Sequence, residues 1–205
     1  MEDLIRQIEN RYKQHDQNRP FIIALDGLSG SGKTTLVHQL KSNFDDTVVI
    51  HIDDHVVENA KRYNTGHEEW FEYYHLQWDT IYLRDNLFKK LSNNHSDIQL
   101  MFYEREKDTL KNEAIELTSK SIVIVEGIFL LRKEWKDFYD YIVFLDCPQE
   151  IRHERALDRD AYIGSFEERI RKYKERYWIA EDYYMDAEKP MKQAHYILRY
   201  KDIKI

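Results

Sequence analysis

The sequence predicts an α/β protein built on a parallel β-sheet, and three features of the chain support that prediction. Short apolar runs recur along its 205 residues. Segments with helical spacing separate these runs and are too long to be hairpin turns. The first run leads directly into a glycine-rich segment, GLSGSGKT at residues 27–34. Because no linker-like stretch divides a chain of this length, we expect one domain over residues 1–205.

The predicted elements begin with a helix and a strand. Leu4, Ile8 and Tyr12 recur at helical spacing, and Pro20 then precedes the first apolar run. Four more apolar runs follow along the chain, with helical patterns or polar segments between them. We therefore predict five strands, at residues 21–25, 47–52, 121–125, 141–145 and 195–198.

Two longer segments and one insertion lie between these strands. Apolar and aromatic residues follow a three-and-four spacing at residues 70–91 and again at 166–177, which predicts helices that cover the sheet or a cleft. Residues 98–117 differ, because two short strand-like pieces, 98–103 and 114–117, flank a polar tip. We expect a β-hairpin there.

Charge and cysteine content argue against several classes of protein. The formal net charge of −7 disfavours a general nucleic-acid binder, because such binding relies on clustered Lys and Arg. The N-terminal residues lack the apolar core of a secretory signal, and Cys147 is the one cysteine. No apolar run reaches the roughly 18 to 20 residues that span a bilayer. We expect a cytoplasmic protein without nucleic-acid or membrane partners. The sequence pattern does not indicate whether the protein is a monomer or an oligomer.

The glycine-rich segment matches GxxxxGK[ST], the P-loop or Walker A pattern for nucleotide binding. Glycines let the backbone amides converge on phosphate oxygens, and the following helix adds partial positive charge. We expect Lys33 to reach the β- and γ-phosphates of ATP and the Thr34 hydroxyl to bind Mg²⁺. The alternative, a turn that only joins strand to helix, is disfavoured by the apolar strand before it and the helical pattern after it. The predicted nucleotide-binding residues are Gly27, Leu28, Ser29, Gly30, Ser31, Gly32, Lys33, Thr34 and Thr35.

Two carboxylates follow predicted strands, where open α/β sheets bind ligands. Asp53 could accept the proton of an acceptor hydroxyl during phosphoryl transfer, and the alternative is an ordinary cap of the next turn. Glu126, between a β-branched strand and Gly127, would orient Mg²⁺ or its water shell. The chain has no NKxD sequence and no DxxG after the second strand, which argues against a switch GTPase.

Three arginines lie on the helix predicted after Pro148. Arg152, Arg155 and Arg159 are three and four residues apart and so share one helix face. Arginine suits the binding of transferring phosphates, and a mobile lid would bring the row to them only when substrate is bound. The alternative is a solvated face whose arginines pair with the acidic residues beside them.

Four motifs, in order along the chain, resemble those of a known family. They are GLSGSGKT, IDDH, VIVEGIFL and a later RxxRxxxRD, within about residues 21–198. The combination resembles the uridine kinase-like branch of P-loop kinases, which includes uridine-cytidine kinases and nicotinamide riboside kinases. The resemblance implies a three-layer αβα sandwich around a five-stranded parallel sheet, with a β-hairpin over the substrate and an arginine-bearing lid at about residues 152–165.

The resemblance also implies roles for individual residues. Asp53 would be the catalytic base, and Asp79 would hold the ribose hydroxyls of a nucleoside. The lid arginines map onto Arg155 and Arg159, and Tyr103 matches a residue of the family's hairpin. The predicted catalytic residues are thus Lys33, Asp53, Arg155 and Arg159, the substrate-binding residues are Asp53, Asp79, Tyr103 and Glu126, and the metal ligands are Thr34 and Glu126.

Two departures from the family concern the acceptor. Asp108 stands where uridine-cytidine kinases carry a histidine that reads the pyrimidine, and His55-Val56 replaces aromatic residues after the base. Aromatic residues that could stack on an acceptor ring are Tyr63, Trp70, Tyr73, Tyr74 and Tyr103.

The predicted function is that of an ATP-dependent kinase, which uses Mg²⁺ and transfers the γ-phosphate to a hydroxyl of a nucleoside-like substrate. Two alternatives stay open. The acceptor could be another alcohol, such as nicotinamide riboside, pantothenate or a phosphorylated sugar. The chain could also be a nucleotide-binding regulatory module that has lost transfer activity.

Overall fold

A five-stranded parallel sheet forms the centre of the computed structural model, which describes residues 1–16, 18–95 and 97–202. Its strand order is β2-β5-β1-β6-β7, and β3 and β4 form a separate two-stranded sheet. The strands are β1 (Phe21–Asp26), β2 (Thr47–His51), β3 (Asp97–Glu104), β4 (Thr109–Glu116), β5 (Ile122–Gly127), β6 (Tyr141–Asp146) and β7 (Tyr196–Arg199).

The parallel sheet confirms the predicted fold class. Each of the five strands predicted for this sheet is present, with bounds that differ from the expected ones by at most two residues. Strands β1 and β5 are buried at every residue, which explains why they are continuous apolar runs rather than alternating ones. Their register pairs Asp26 with Gly127, and β2 pairs His51 with Glu126, so the three carboxyl ends lie side by side.

Helices cover both faces of the sheet, as expected for three layers. Ile23 and Leu25 of β1 pack on one face with the first two helices. Ile22 and Ala24 point to the opposite face, into a second cluster that contains Trp135. The helices are α1 (Glu2–Gln14), α2 (Lys33–Lys41), α3 (Asn59–Arg62), α4 (Glu69–Phe71), α5 (Thr80–Leu83), α6 (Lys89–Ser92), α7 (Gln149–Arg159), α8 (Phe166–Lys172), α9 (Trp178–Ala187) and α10 (Pro190–Gln193).

Several of these helices are joined by wider, π-helical turns. Turns at Glu72–Leu76, Arg84–Phe88 and Tyr173–Tyr177 extend α4, α5 and α8, so that α8 runs on into α9. The helix predicted over residues 70–91 is interrupted. Trp78 turns into the core and donates from Nε1 to the carbonyl oxygen of Ile52, and Asp79 then caps the start of α5. Within the described residues, no helix is both long and apolar enough to cross a bilayer.

The predicted hairpin is confirmed as an antiparallel pair of strands, β3 and β4. Strand β4 begins at Thr109 rather than at residue 114, because its exposed N-terminal half is polar and gives no strand signal in the sequence. The hairpin is attached to the end of β2, since His55 Nδ1 lies 2.9 Å from the carbonyl oxygen of Met101. Leu100 of β3 is fully buried in the core. The hairpin therefore lies beside the carboxyl ends of the strands.

Candidate active site

Two adjoining cavities lie at the carboxyl ends of the parallel strands. The P-loop cavity, about 560 Å³, is formed by the glycine-rich loop, the ends of β2 and β5, and α7. The second cavity, about 530 Å³, is formed by residues 53–77, the tip of the hairpin and the segment from Arg159 to Tyr177. Ser29, Asp53, Tyr73 and Arg159 line both cavities. Molecules bound in the two cavities would therefore meet at these four residues.

The glycine-rich loop that lines the P-loop cavity requires glycine at two of its positions. Gly30 and Gly32 have φ of +75° and +100°, in the left-handed region that other residues rarely adopt. A Cβ atom on Gly30 would also lie 2.3 Å from the carbonyl oxygen of Arg152. Helix α2 begins at Lys33, directly after Gly32. Its first backbone N–H groups have no partners within the helix and can bind an anion.

The ammonium group of Lys33 lies among the loop carbonyls and the site carboxylates. Its Nζ donates to the carbonyl oxygens of Gly27, at 2.7 Å, and Leu28, at 3.2 Å. The positive charge also acts to lower the pKa of both Asp53 and Glu126. Lys33 is thus close to the point where the P-loop and the strand ends converge.

Asp53 occupies the first turn after β2 and faces both cavities. Its side chain is open to the cleft. The protein around the cleft nevertheless desolvates the carboxylate, and this effect raises its pKa above the usual aspartate value despite the opposing charges of Lys33 and Arg159. A carboxylate with a raised pKa is a stronger proton acceptor, so Asp53 is suited to general-base chemistry.

Glu126, at the end of β5, is buried and paired with a histidine. His51 is its register neighbour on β2, and His51 Nδ1 lies 2.6 Å from Glu126 Oε2. Burial acts to raise the pKa of Glu126, but the hydrogen bond from His51 and the charge of Lys33 outweigh it, and the net pKa is lowered. The same hydrogen bond raises the pKa of His51. Glu126 therefore stays ionised within the P-loop cavity.

The three arginines of α7 have different surroundings. Arg155 lines the P-loop cavity, and its guanidinium lies 5.1 Å from the ring centroid of Tyr200. Arg159 lines both cavities, and its Nε donates to Asp160 at 2.7 Å. Arg152 is buried beneath the P-loop and pairs with Glu181. The geometry thus brings two arginines of the predicted row to the cavities, and closure of the lid stays a prediction.

Comparison with known proteins assigns the chain to a family. The family model described as phosphoribulokinase / uridine kinase matches residues 22–200. The chain belongs to the phosphoribulokinase/uridine kinase family. This membership confirms the resemblance seen in the motifs, and the family confirms the predicted class, an ATP-dependent phosphotransferase with a hydroxyl acceptor.

Individual members of the phosphoribulokinase/uridine kinase family are similar over much of the chain. Uridine kinase of Borrelia duttonii (strain Ly) is 32% identical over 145 residues, which cover 68% of this chain and 66% of that protein. Uridine kinase of Staphylococcus haemolyticus (strain JCSC1435) is 32% identical over 142 residues, 68% of each chain. A solved structure described as a possible uridine kinase from Bacillus stearothermophilus superposes with a TM-score of 0.75 at 38% identity, over 94% of this chain and 99% of the other.

The residues carried over from this family for acceptor binding are not all brought together. Tyr103 lines the second cavity. Asp79 lies outside both cavities, exposed at the start of α5, where Oδ1 accepts from the backbone N–H of Tyr82 at 2.8 Å. Asp108, aligned from the sequence with a histidine of uridine-cytidine kinases, accepts from the Tyr103 hydroxyl and the backbone N–H of Asn59. Asp79 and Asp108 are thus each held by local hydrogen bonds.

Several residues of the second cavity had no signal in the sequence. Of the five aromatic residues proposed for stacking, Tyr63, Tyr73 and Tyr103 line this cavity. Tyr74 is instead buried in the core, and Trp70 packs against Tyr183. The cavity residues missed from the sequence include Asn59, Arg62, Gln77, Arg105, Tyr162, Lys172, Tyr173 and Tyr177. They come from separate segments and form no motif, so only the fold reveals them.

Proposed function

We propose that this protein transfers the γ-phosphate of ATP to a hydroxyl group of a nucleoside. The junction of the two cavities supports the proposal most directly. Asp53, which can accept a proton, and Arg159, which can bind a phosphate, both line the P-loop cavity and the second cavity. ATP in the first cavity and an acceptor in the second would place the γ-phosphate and the acceptor hydroxyl between these two side chains.

ATP would be held by the P-loop and the residues facing it. The N–H groups at the start of α2 and the ammonium group of Lys33 would bind the phosphates, and Arg155 would add a second positive charge. Lys33 and Arg159 would stabilise the negative charge of the transferring phosphoryl group. Asp53 would take the proton of the acceptor hydroxyl, which its raised pKa favours.

The cavity residues fit a magnesium ion that arrives with ATP. The Thr34 hydroxyl and the carboxylate of Glu126 line one cavity, and oxygen atoms are the ligands that Mg²⁺ prefers. Among residues 1–16, 18–95 and 97–202, no group of three acidic, His or Cys side chains could hold a metal on its own. Phosphate oxygens would complete the coordination. When bound, the ion would neutralise charge on the phosphates.

The acceptor is proposed from the relatives and from the shape of the second cavity. The similar proteins of Borrelia and Staphylococcus are named as uridine kinases. Aromatic side chains of Tyr63, Tyr73 and Tyr103 line the cavity and offer surfaces for a base. Uridine is therefore the first acceptor to test. We also propose that the enzyme acts in the cytoplasm on small molecules, in keeping with its net charge of −7 and single cysteine.

An ADP-release assay tests this function. The purified protein would be supplied with ATP and Mg²⁺, and then with uridine, cytidine, nicotinamide riboside or pantothenate in turn. We expect turnover that depends on a nucleoside, and a phosphorylated product by mass spectrometry. Absence of turnover above the ATP-only rate with every acceptor would contradict the proposal. The variant Asp53→Asn, which removes the proposed base, should lose this turnover. Asp45 is an exposed carboxylate outside both cavities, so Asp45→Asn is the matched control.

A further inference from the structure

A buried carboxylate lies directly beneath the P-loop. The backbone N–H of Ser29 donates to Glu181 Oε1 at 2.8 Å. The other carboxylate oxygen of Glu181 accepts from Arg152 Nη1 at 2.9 Å. The side chains of Arg152 and Glu181 are only 8% and 3% exposed. No step of the proposed reaction uses this ion pair, although one of its partners is a residue of the nucleotide-binding loop.

Arg152 contacts the loop at two further points. Its Nη1 lies 3.4 Å from the carbonyl oxygen of Ser29, and its own carbonyl oxygen occupies the space where a Cβ atom on Gly30 would lie. Its Nε donates to the carbonyl oxygen of Cys147, just before α7. The ion pair therefore ties α7, α9 and the P-loop together at Ser29, which lines both cavities.

A negative charge at this position would ordinarily oppose the proposed reaction. ATP carries its phosphates into the P-loop cavity, and a buried carboxylate beneath the loop repels them unless its charge is neutralised. Arg152 supplies that neutralising charge. Arg152 also precedes Arg155 and Arg159 on the same face of α7, so its position helps to set theirs.

We propose that Arg152 and Glu181 are positioning residues for phosphoryl transfer. Glu181 orients Ser29 at the junction of the two cavities, and Arg152 cancels the charge of Glu181 so that the triphosphate can bind. The inference rests on the proposed ATP site. It goes beyond that site by assigning a role to a buried pair that contacts neither substrate.

The protein offers a matched control for the effects of burial. Arg176 and Glu72 form a second buried ion pair, 0% and 3% exposed, with Nη1 and Oε2 3.3 Å apart. Arg176 hydrogen-bonds to Glu69, Arg62 and Gln77, away from the P-loop. Loss of Arg176 should therefore lower stability by leaving Glu72 buried without its partner, and should not weaken ATP binding as loss of Arg152 does.

The test compares Arg152→Gln, Glu181→Gln, the double variant and Arg176→Gln. The measurements are Kd for a non-hydrolysable ATP analogue, KM for ATP, kcat and thermal stability. One uncompensated charge near the phosphates, at an effective dielectric constant of about 20, should weaken ATP binding about tenfold in Arg152→Gln. The double variant should recover most of that loss, because the charge is removed with its partner. Arg176→Gln should change Kd less than about twofold while lowering Tm.

Two results would overturn the inference. One is an Arg152→Gln protein that is folded and binds the analogue as tightly as wild type. The other is a double variant that binds no better than Arg152→Gln. If Arg152→Gln does not fold, Arg152→Lys keeps the charge and should bind within about threefold of wild type, and a tenfold loss there contradicts the role of charge. A wild-type protein that does not bind the analogue would instead refute the ATP site, and the inference with it.

Discussion

Replacing Asp26 with asparagine tests how much a buried charge beneath the P-loop destabilises the fold. Asp26 ends β1 and is fully buried. Its Oδ1 accepts from the backbone N–H of Gly27 at 2.8 Å, and its other oxygen accepts from the Tyr184 hydroxyl. Burial raises the pKa of Asp26 to about 6, although both hydrogen bonds oppose the shift. Asparagine has the same shape and cannot ionise.

The sign of the effect follows from proton binding. The pKa of Asp26 is about 6 in the folded protein, and 3.8 is the reference value that stands for the unfolded chain. Between these two pH values the folded state therefore holds a proton that the unfolded state has released. The resulting stabilisation is fully present below about pH 3.8 and is lost as pH rises through about 6. A shift of about two pKa units corresponds to about 3 kcal/mol. Between pH 7.5 and 4.5 the change should be about 2 kcal/mol.

Urea unfolding of the wild type and of Asp26→Asn at several pH values measures this effect. Other carboxylates also titrate in this range, so the informative quantity is the difference in unfolding free energy between the two proteins. The wild type should gain about 2 kcal/mol relative to Asp26→Asn when pH falls from 7.5 to 4.5. A difference that stays constant over this range would refute the reasoning, because it would mean that Asp26 titrates alike in the folded and unfolded chains.

Three further predictions concern the site and the core. Asp53→Asn should keep its affinity for an ATP analogue and lose about 10²-fold or more in kcat. In the wild type, kcat/KM should fall as pH drops through the raised pKa of Asp53, and a pH-rate profile measures this fall. Gly30→Ala should abolish ATP binding in a calorimetric titration, since its φ of +75° and the oxygen 2.3 Å from the new Cβ both oppose the substitution. Trp135→Ala should cost about 3 to 5 kcal/mol in urea unfolding, because the side chain is fully buried and its Nε1 donates to Thr80.

The sequence predicts most of the fold, because the elements that build it have strong local patterns. The central strands are buried on both faces and therefore consist of continuous apolar residues. The sequence pattern misses the N-terminal half of strand β4, from Thr109, and the break at Trp78. Strand β4 gains its order from pairing with β3, and Trp78 leaves the helical path because the core accepts its ring. That residues 1–205 form one domain stays a prediction.

The candidate site was predictable where one short segment carries the chemistry. The P-loop is such a segment, and Asp53 and Glu126 follow strands whose ends the sheet places together. The second cavity is different, since its walls come from segments far apart in the chain. Asp79 illustrates the limit of transfer by motif. Asp79 is the N-cap of α5, and its carboxylate accepts a hydrogen bond from the backbone N–H of Tyr82.

Helix α7 shows most clearly why spacing alone cannot assign a role. Arg152, Arg155 and Arg159 share one face, and their spacing alone does not distinguish them. They differ in depth, because the N-terminal turn of α7 packs against Gly30 of the P-loop and its C-terminal turn reaches the cavity junction. Arg152 lies at the packed end, where its buried charge requires an ion-pair partner, and that partner is Glu181. The arginines nearer the open end are left to face the cavities. One row of like residues thus divides into a support for the loop and two groups that can bind phosphate.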